Sequence, residues 1–158
     1  MERKNDKSMV KDVMTRDVKC VYPETTLQEA AEKMRVFDIG SIPVCEGDRF
    51  IGMLTDRDIT VRATAEGRDP KTTKVREVMT PEAVFCTDDQ DIHECAQLME
   101  KKQIRRLPVL NRQKQIVGIL SLGDLAVHDG GDEKLAGEVL EEVSKPKPAG
   151  IVAAGGGN

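Results

Sequence analysis

The sequence predicts a mixed α+β fold in which two similar lobes pack about a pseudo-twofold axis, and three observations lead there. The first half of the chain is written again in the second. Asp12-Val13-Met14-Thr15 recurs as Glu77-Val78-Met79-Thr80, Glu29-Ala30-Ala31 as Glu94-Cys95-Ala96, Met34 as Met99, and Ile42-Pro43-Val44 as Leu107-Pro108-Val109, all 65 positions apart. Ile51-Gly52-Met53-Leu54-Thr55 and Asp58 return as Val117-Gly118-Ile119-Leu120-Ser121 and Asp124 at a spacing of 66. A unit this long that occurs only twice does not suit a solenoid, whose units of about 20 to 50 residues recur at least about three times. With 158 residues there is room for about one compact domain, so two lobes of roughly 60 residues must share a core or an interface.

Each repeat reads helix, strand, helix, strand, strand, helix. In the first, Val10 to Met14 is a short helical turn and Val18 to Val21 a short strand. Thr26-x-x-Glu29 is a capping box, and Leu27, Ala30, Ala31 and Met34 fall at the spacing of one buried helix face. Gly40 marks the helix exit. Ile42-Pro43-Val44 opens a strand whose proline belongs at its first positions or at an edge, and Glu46-Gly47-Asp48 supplies turn chemistry. Phe50 to Leu54 is the partner strand, and Asp58 to Ala65 a second helix stopped by Gly67 and Pro70. The second repeat follows with Val75 to Met79, Ala83 to Cys86, Ile92 to Lys101, Leu107 to Leu110, Ile116 to Leu120 and a helix from Asp124. Its Asn111 to Gln115 turn absorbs the extra residue. The repeats are bounded at 8–67 and 73–128. Over 129–158 the expectation is a short amphipathic helix, with Leu135, Val139, Leu140 and Val143 on one face, followed by a disordered Gly/Pro tail.

Composition narrows the function classes. The apolar content of 39% fits a soluble globular chain, while 3% aromatics and no Trp leave little for stacking on single-stranded nucleic acid. A formal charge of −4 argues against general nucleic-acid binding, which needs a basic face. The charged N-terminus has no signal-peptide core, and no apolar run approaches the roughly 20 residues that span a bilayer. The expected location is the cytoplasm. Cys20, Cys45, Cys86 and Cys95 form no C-x-x-C pair and read as small buried apolar residues, with a redox or metal role as the alternative. His93 and His128 lack neighbours at ligand spacing. No nucleophile, base and orienting group converge, so the chain is not expected to be an enzyme.

The residues that carry chemistry are Thr55-x-x-Asp58 and Ser121-x-x-Asp124. Each alone is a helix cap. Both, however, follow the same apolar-Gly-apolar-Leu strand and lie downstream of an apolar-Pro-Val strand start in the same small sheet. A carboxylate there can accept two charge-assisted hydrogen bonds from a vicinal diol, and a hydroxyl with a helix N-terminus favours an anion.

These motifs resemble those of a tandem pair of CBS domains, named after cystathionine β-synthase and also called a Bateman module. The resemblance covers about residues 8 to 128 and is strongest to small stand-alone bacterial members. It rests on the Val-Met-Thr openings, Ile42-Pro43-Val44 and Leu107-Pro108-Val109, and the segments Gly52 to Asp58 and Gly118 to Asp124. It implies a βαββα lobe used twice, with the sheets packed together and clefts for adenosine-containing ligands: AMP, ADP or ATP first, then NAD or S-adenosylmethionine, with no obligatory cofactor. By the same resemblance Asp58 and Asp124 would hold ribose hydroxyls, and Thr55 and Ser121 would lie near ribose or phosphate. Ile42 and Leu107, just before Pro43 and Pro108, would line adenine, with backbone groups reading its edge. Val18 and Ala83 would close the other face, and Thr15 and Thr80 would stand at the mouth. Arg105-Arg106 matches a phosphate-facing pair, where the first repeat has Gly40-Ser41. Arg57, a cation poorly placed against the positive end of a helix dipole, is read as an anion contact.

The implied function is a non-catalytic regulatory module for energy or metabolite sensing, signalling through the conformation of the pair or the geometry of a dimer. The alternative is a redox- or metal-responsive protein using its cysteines. A homodimer is expected as well, on the resemblance and on the apolar helix faces that include Ala30, Met34, Ala96 and Met99, with an unknown regulated protein as a further partner.

Overall fold

The structure is a computed structural model that describes residues 8–81 and 84–128; the amphipathic helix and tail expected at 129–158 lie outside the described residues. The elements run α1 (Val10–Val13), α2 (Leu27–Phe37), β1 (Ser41–Glu46), β2 (Arg49–Thr55), α3 (Asp56–Ile59), β3 (Thr80–Pro81), β4 (Cys86–Thr87), α4 (Ile92–Lys102), β5 (Arg106–Leu110), β6 (Ile116–Ser121) and α5 (Leu122–His128). Two three-stranded sheets result, ordered β1-β2-β3 and β4-β5-β6.

Local chemistry accounts for most of these elements. At the start of α2 the Thr26 hydroxyl accepts from the Glu29 amide at 3.2 Å, and the Glu29 carboxylate accepts from the Thr26 amide at 3.0 Å. That amide holds the Glu29 carboxyl below its ordinary range. Leu27, Ala30 and Met34 are buried, but Ala31 is exposed. At 100° per residue Ala31 falls on the side of Leu27 away from Ala30, so the buried stripe is narrower than expected. The helix ends on Asp38, in the left-handed region with φ 54, rather than at Gly40. Gln103 ends α4 in the same way, with φ 56.

The hairpin of β1 and β2 turns through Gly47-Asp48, and its register sets Ile42 opposite Leu54 and Pro43 opposite Met53. Pro43 sits on an edge strand, where a missing N–H costs no ladder bond. The strand expected at Val18 to Val21 reduces to one parallel bridge, Val21 to Val44. Its counterpart β4 pairs parallel with β5 through Cys86 and Val109. The helix expected from Asp58 begins two residues earlier, at Asp56, and passes into a π-helical turn over Thr60–Thr64.

The opening segments of the repeats are exchanged. β3, from the start of the second repeat, pairs with β2 of the first through Thr80 and Met53. Thr15, from the start of the first, bridges to Ile119 of β6, with Thr15 N to Ile119 O and Ile119 N to Thr15 O both 2.9 Å. The same symmetry relates Val10 N to Gln90 O and Val75 N to Thr25 O, each 2.8 Å. The pseudo-twofold axis passes by the bridge between Arg49 and Gln115, equivalent residues of the two copies. On either side of it lie Phe50 N to Lys114 O at 3.1 Å and Ile116 N to Asp48 O at 3.0 Å.

The two cores follow the exchange. Val75 and Val78, from the second opening segment, complete the core of Val21, Leu27, Ala30, Ile42, Val44 and Leu54. Val10 and Met14 complete the core of Cys86, Ile92, Cys95, Met99, Leu107, Leu120 and Leu125. Ala30, Met34, Ala96 and Met99 are thus buried within the chain and leave no spare surface for a second copy. The exposed apolar side chains are others, among them Val36, Phe37, Val61 and Val127. Of the cysteines, Cys45, Cys86 and Cys95 are buried and Cys20 is half-buried, all as free thiols.

The repeated strand glycines make the exchange sterically feasible. A Cβ at Gly52 would stand 2.5 Å from the backbone oxygen of Thr80 and 3.2 Å from Pro81 Cα. One at Gly118 would stand 2.5 Å from Met14 Sδ and 2.9 Å from Thr15 O. Gly52→Ala is expected to lower unfolding stability by about 1–3 kcal/mol, because β3 must shift away, and Gly118→Ala by less, because its tightest contact is the Met14 side chain and the backbone oxygen of Thr15 stands farther off, at 2.9 Å. Urea unfolding of both variants checks the size and the order.

Candidate functional site

Two clefts open where the sheets meet, and each is lined from both repeats. The larger, about 810 Å³, includes Thr55 and Asp58 of the first repeat with Thr80, Gln103, Ile104, Arg105, Arg106 and Pro108 of the second. The smaller, about 230 Å³, includes Ser121, Asp124, Ile119, Arg106 and Pro108 of the second with Thr15, Asp17, Lys19, Ser41 and Pro43 of the first. Small-molecule sites span about 300–1,000 Å³, so the Asp58 cleft is within that range and the Asp124 cleft below it. Ile39, Ser41, Met53, Arg106 and Pro108 line both clefts.

The two carboxylates are helix caps that face these clefts. The Thr55 hydroxyl accepts from the Asp58 amide and Asp58 Oδ2 accepts from the Thr55 amide, each at 3.0 Å. Ser121 and Asp124 repeat the arrangement at 3.1 Å and 2.9 Å. Capping thus engages one carboxylate oxygen of each pair. The remaining oxygens differ: Asp58 Oδ1 lies 3.9 Å from the Arg62 guanidinium, and Asp124 Oδ1 accepts from the Thr15 hydroxyl at 3.2 Å. Arg62 also donates to the carbonyls of Val78 and Met79, both at 3.2 Å, tying the helix after Asp58 to the exchanged segment.

The predicted residues that the structure describes fall into three groups. Thr15, Pro43, Thr55, Asp58, Thr80, Arg105, Arg106, Pro108, Ser121 and Asp124 line one or both clefts. The side chains of Ile42 and Leu107 do not, being fully buried in the cores. Strand alternation gives the lining to the residues on either side, Ser41 and Pro43, Arg106 and Pro108. Val18 is half-buried and Arg57 exposed, and neither lines a cleft. Arg57 lies in the first turn of α3, after Thr55. Ala83 lies outside the described residues, and Val84 lines the larger cleft.

Met53 and Ile119 line the clefts from the strands β2 and β6, although no motif in the sequence singles them out. The available signal was period two, because Ile51, Met53 and Thr55 share the half-buried face of β2 while Phe50, Gly52 and Leu54 are buried. Lys19 and Asp17, in and just before the strand expected at Val18 to Val21, also line the smaller cleft.

The two copies differ most where Gly40-Ser41 stands against Arg105-Arg106, and the surroundings differ with them. A Cβ at Gly40 would meet Asp56 Oδ2 at 3.0 Å. In the second repeat Leu122 occupies the place of Asp56 and its amide donates to Arg105 O at 3.1 Å, as the Asp56 amide does to Gly40 O at 2.9 Å. An acidic side chain thus stands beside the glycine in one copy, and a neutral one follows the arginines in the other. Among the described residues no three His, Cys, Asp or Glu side chains gather as a metal site. His93 Nδ1 lies 2.9 Å from the Asp91 carboxylate that caps α4. No helix among the described residues is long and apolar enough to cross a membrane.

Comparison with known proteins matches the CBS domain to residues 10–63 and 75–129. The CBS domain-containing protein YhcV of Bacillus subtilis (strain 168) is 47% identical over 137 residues, covering 87% of this chain and 96% of that protein. Among solved structures, Hypoxic Response Protein I with two coordinated zinc ions is similar at 38% identity and TM-score 0.70, covering 77% of this chain and 99% of that one. CBSX2 in complex with AMP is similar at 25% identity and TM-score 0.67, covering 80% and 98%. With two matched domains that span most of its described residues, the chain belongs to the CBS-domain family, as a tandem CBS pair.

Proposed function

We propose that the pair is a regulatory module that binds an adenosine-containing ligand, AMP, ADP or ATP before NAD or S-adenosylmethionine, and does no covalent chemistry of its own. The observation that carries this reading is the placement of two capped carboxylates, Asp58 and Asp124, in two clefts that share one arginine, Arg106. In each cleft the carboxylate oxygen that does not cap the helix offers an acceptor to a ribose diol. Arg105 and Arg106 offer planar, multi-donor contacts to phosphate. The AMP complex of CBSX2 supports the choice of ligand class. Because residues of both repeats line each cleft, a bound ligand bridges the two sheets and biases their packing, which is how occupancy would be signalled to a partner protein. A homodimer is part of the proposal, with exposed Val36, Phe37, Val61 and Val127 as the apolar surface available to it. Light scattering at tens of micromolar is expected to give twice the chain mass, and a monomer with and without nucleotide would remove this part.

Calorimetry against AMP, ADP, ATP, NAD, S-adenosylmethionine and adenosine tests the ligand. Asp58→Asn and Asp124→Asn keep an acceptor for the helix cap and remove the charge. Each is expected to weaken nucleotide binding at its own cleft by about 1.5–3 kcal/mol, the range for hydrogen bonds to charged groups. Unchanged binding in the double variant would leave these residues as caps alone.

Arg105→Ala with Arg106→Ala is expected to weaken AMP or ATP binding about tenfold or more, which is about 1.4 kcal/mol. Adenosine binding should change little, and the salt dependence of nucleotide binding should become shallower. Equal losses for adenosine and ATP would assign the pair a structural role.

A further inference from the structure

Outside the clefts, the chain brings two thiols together that lie 25 positions apart: Cys45 Sγ is 3.5 Å from Cys20 Sγ. The local backbone holds them there. Val21 and Val44 form a parallel bridge, with Val21 N to Pro43 O and Cys45 N to Val21 O both 2.9 Å, and Cys20 and Cys45 flank it. The register of β1 shifts between Val44 and Cys45, so the bulge falls at the second thiol. Closing the gap to the about 2.05 Å of a disulfide requires about 1.5 Å of sulfur movement, within reach of side-chain rotation.

We propose that Cys20 and Cys45 are a dithiol that a hydroperoxide oxidises to an intramolecular disulfide, and that the bond fixes the Arg16–Cys20 segment, whose Asp17 and Lys19 line the Asp124 cleft. This inference is independent of the ligand proposed above.

The roles of the two sulfurs differ by environment. Cys20 is half-buried and accessible to a small oxidant, whereas Cys45 is 1% exposed. The Cys45 thiol donates to Cys20 Sγ, and the Lys33 ammonium, which donates to the Cys20 carbonyl at 2.9 Å, adds positive charge beside it. Both favour a thiolate at Cys20 and hold its thiol below the ordinary range. The hydrogen bond to Cys20 and burial push the Cys45 thiol up. Cys20 is therefore the attacking thiolate. Its sulfur displaces at the hydroperoxide oxygen, the S–O bond forming as O–O breaks, and the departing alkoxide takes a proton to leave as alcohol. The product is a Cys20 sulfenic acid. Cys45 Sγ then attacks that sulfur; S–S forms, S–O breaks, and hydroxide leaves with the Cys45 proton as water. Two thiols have lost two protons and two electrons, and the hydroperoxide has become alcohol and water, or two waters where it is hydrogen peroxide.

Cys86 and Cys95 form an internal comparison. Both are fully buried, so neither is accessible to the oxidant, and a hydrogen bond to Cys95 together with burial pushes the Cys86 thiol up.

The test treats the full-length, reduced chain with hydrogen peroxide and maps its peptides without reduction. The expected product links Cys20 to Cys45 within one chain and leaves Cys86 and Cys95 free to alkylate after unfolding. Closing a loop of this length should raise the thermal midpoint by roughly 10 °C, reversed by dithiothreitol and lost in Cys20→Ser. Hydrogen exchange of the Asp17 to Lys19 amides should slow on oxidation. Sulfinic acid at Cys20 without the cross-link, a link between chains, or four free thiols after treatment would each overturn the disulfide. Unchanged exchange in the cross-linked protein would overturn the fixing of the segment. If Cys20→Ser does not fold, Cys45→Ala supplies the same comparison.

Discussion

The structure depends on the exchange of the opening segments between the lobes. Each lobe alone has one amphipathic helix and a short hairpin sheet, too little to enclose an apolar core at roughly 60 residues. Val75 and Val78 close the first core and Val10 and Met14 the second, so neither half can be completed without the other. The exchange requires backbone to pass directly over the middle strands at Gly52 and Gly118, where a methyl group would collide. These glycines recur in both copies for a steric reason that belongs to tertiary structure, although their spacing is visible in the sequence.

The clefts follow from the same constraint. Thr15 reaches the Asp124 cleft and Thr80 the Asp58 cleft because the exchange lays each opening segment against the other repeat's sheet. The helix caps then place their carboxylates at the mouths. In this arrangement the capping function and the cleft-facing position do not compete, since capping engages Oδ2 in both aspartates. What differs is the partner of Oδ1: a neighbouring cation in one cleft, a threonine hydroxyl in the other. Together with the arginine pair, this makes two sites built on one repeated pattern chemically unequal.

Equivalent positions therefore have different local meanings. Gly40 leaves room beside Asp56, whereas Arg105 and Arg106 follow a helix and open a strand with Leu122 in the corresponding place. A basic side chain placed at Gly40 by analogy with Arg105 would have to displace that carboxylate. Thr15 and Thr80 are likewise matched in sequence, yet among the described residues it is the Thr15 hydroxyl that donates to a capping aspartate.

The duplicated architecture, the capping boxes at Thr26, Thr55 and Ser121, the hairpins and most of the helix faces were legible in the order of residues alone. These depend on interactions spanning four residues or fewer, or on periodicity, and both can be read along a single chain. Pairing over long separations settled the rest: which sheet each opening segment joins, the reduction of the expected Val18 to Val21 strand to a single bridge, the burial of Ile42 and Leu107 in place of their neighbours, and the entry of Met53, Ile119, Asp17 and Lys19 into the clefts. It also set Cys20 against Cys45. No periodicity links residues 25 positions apart, and only the crossing of Val21 over Val44 brings those two sulfurs within 3.5 Å.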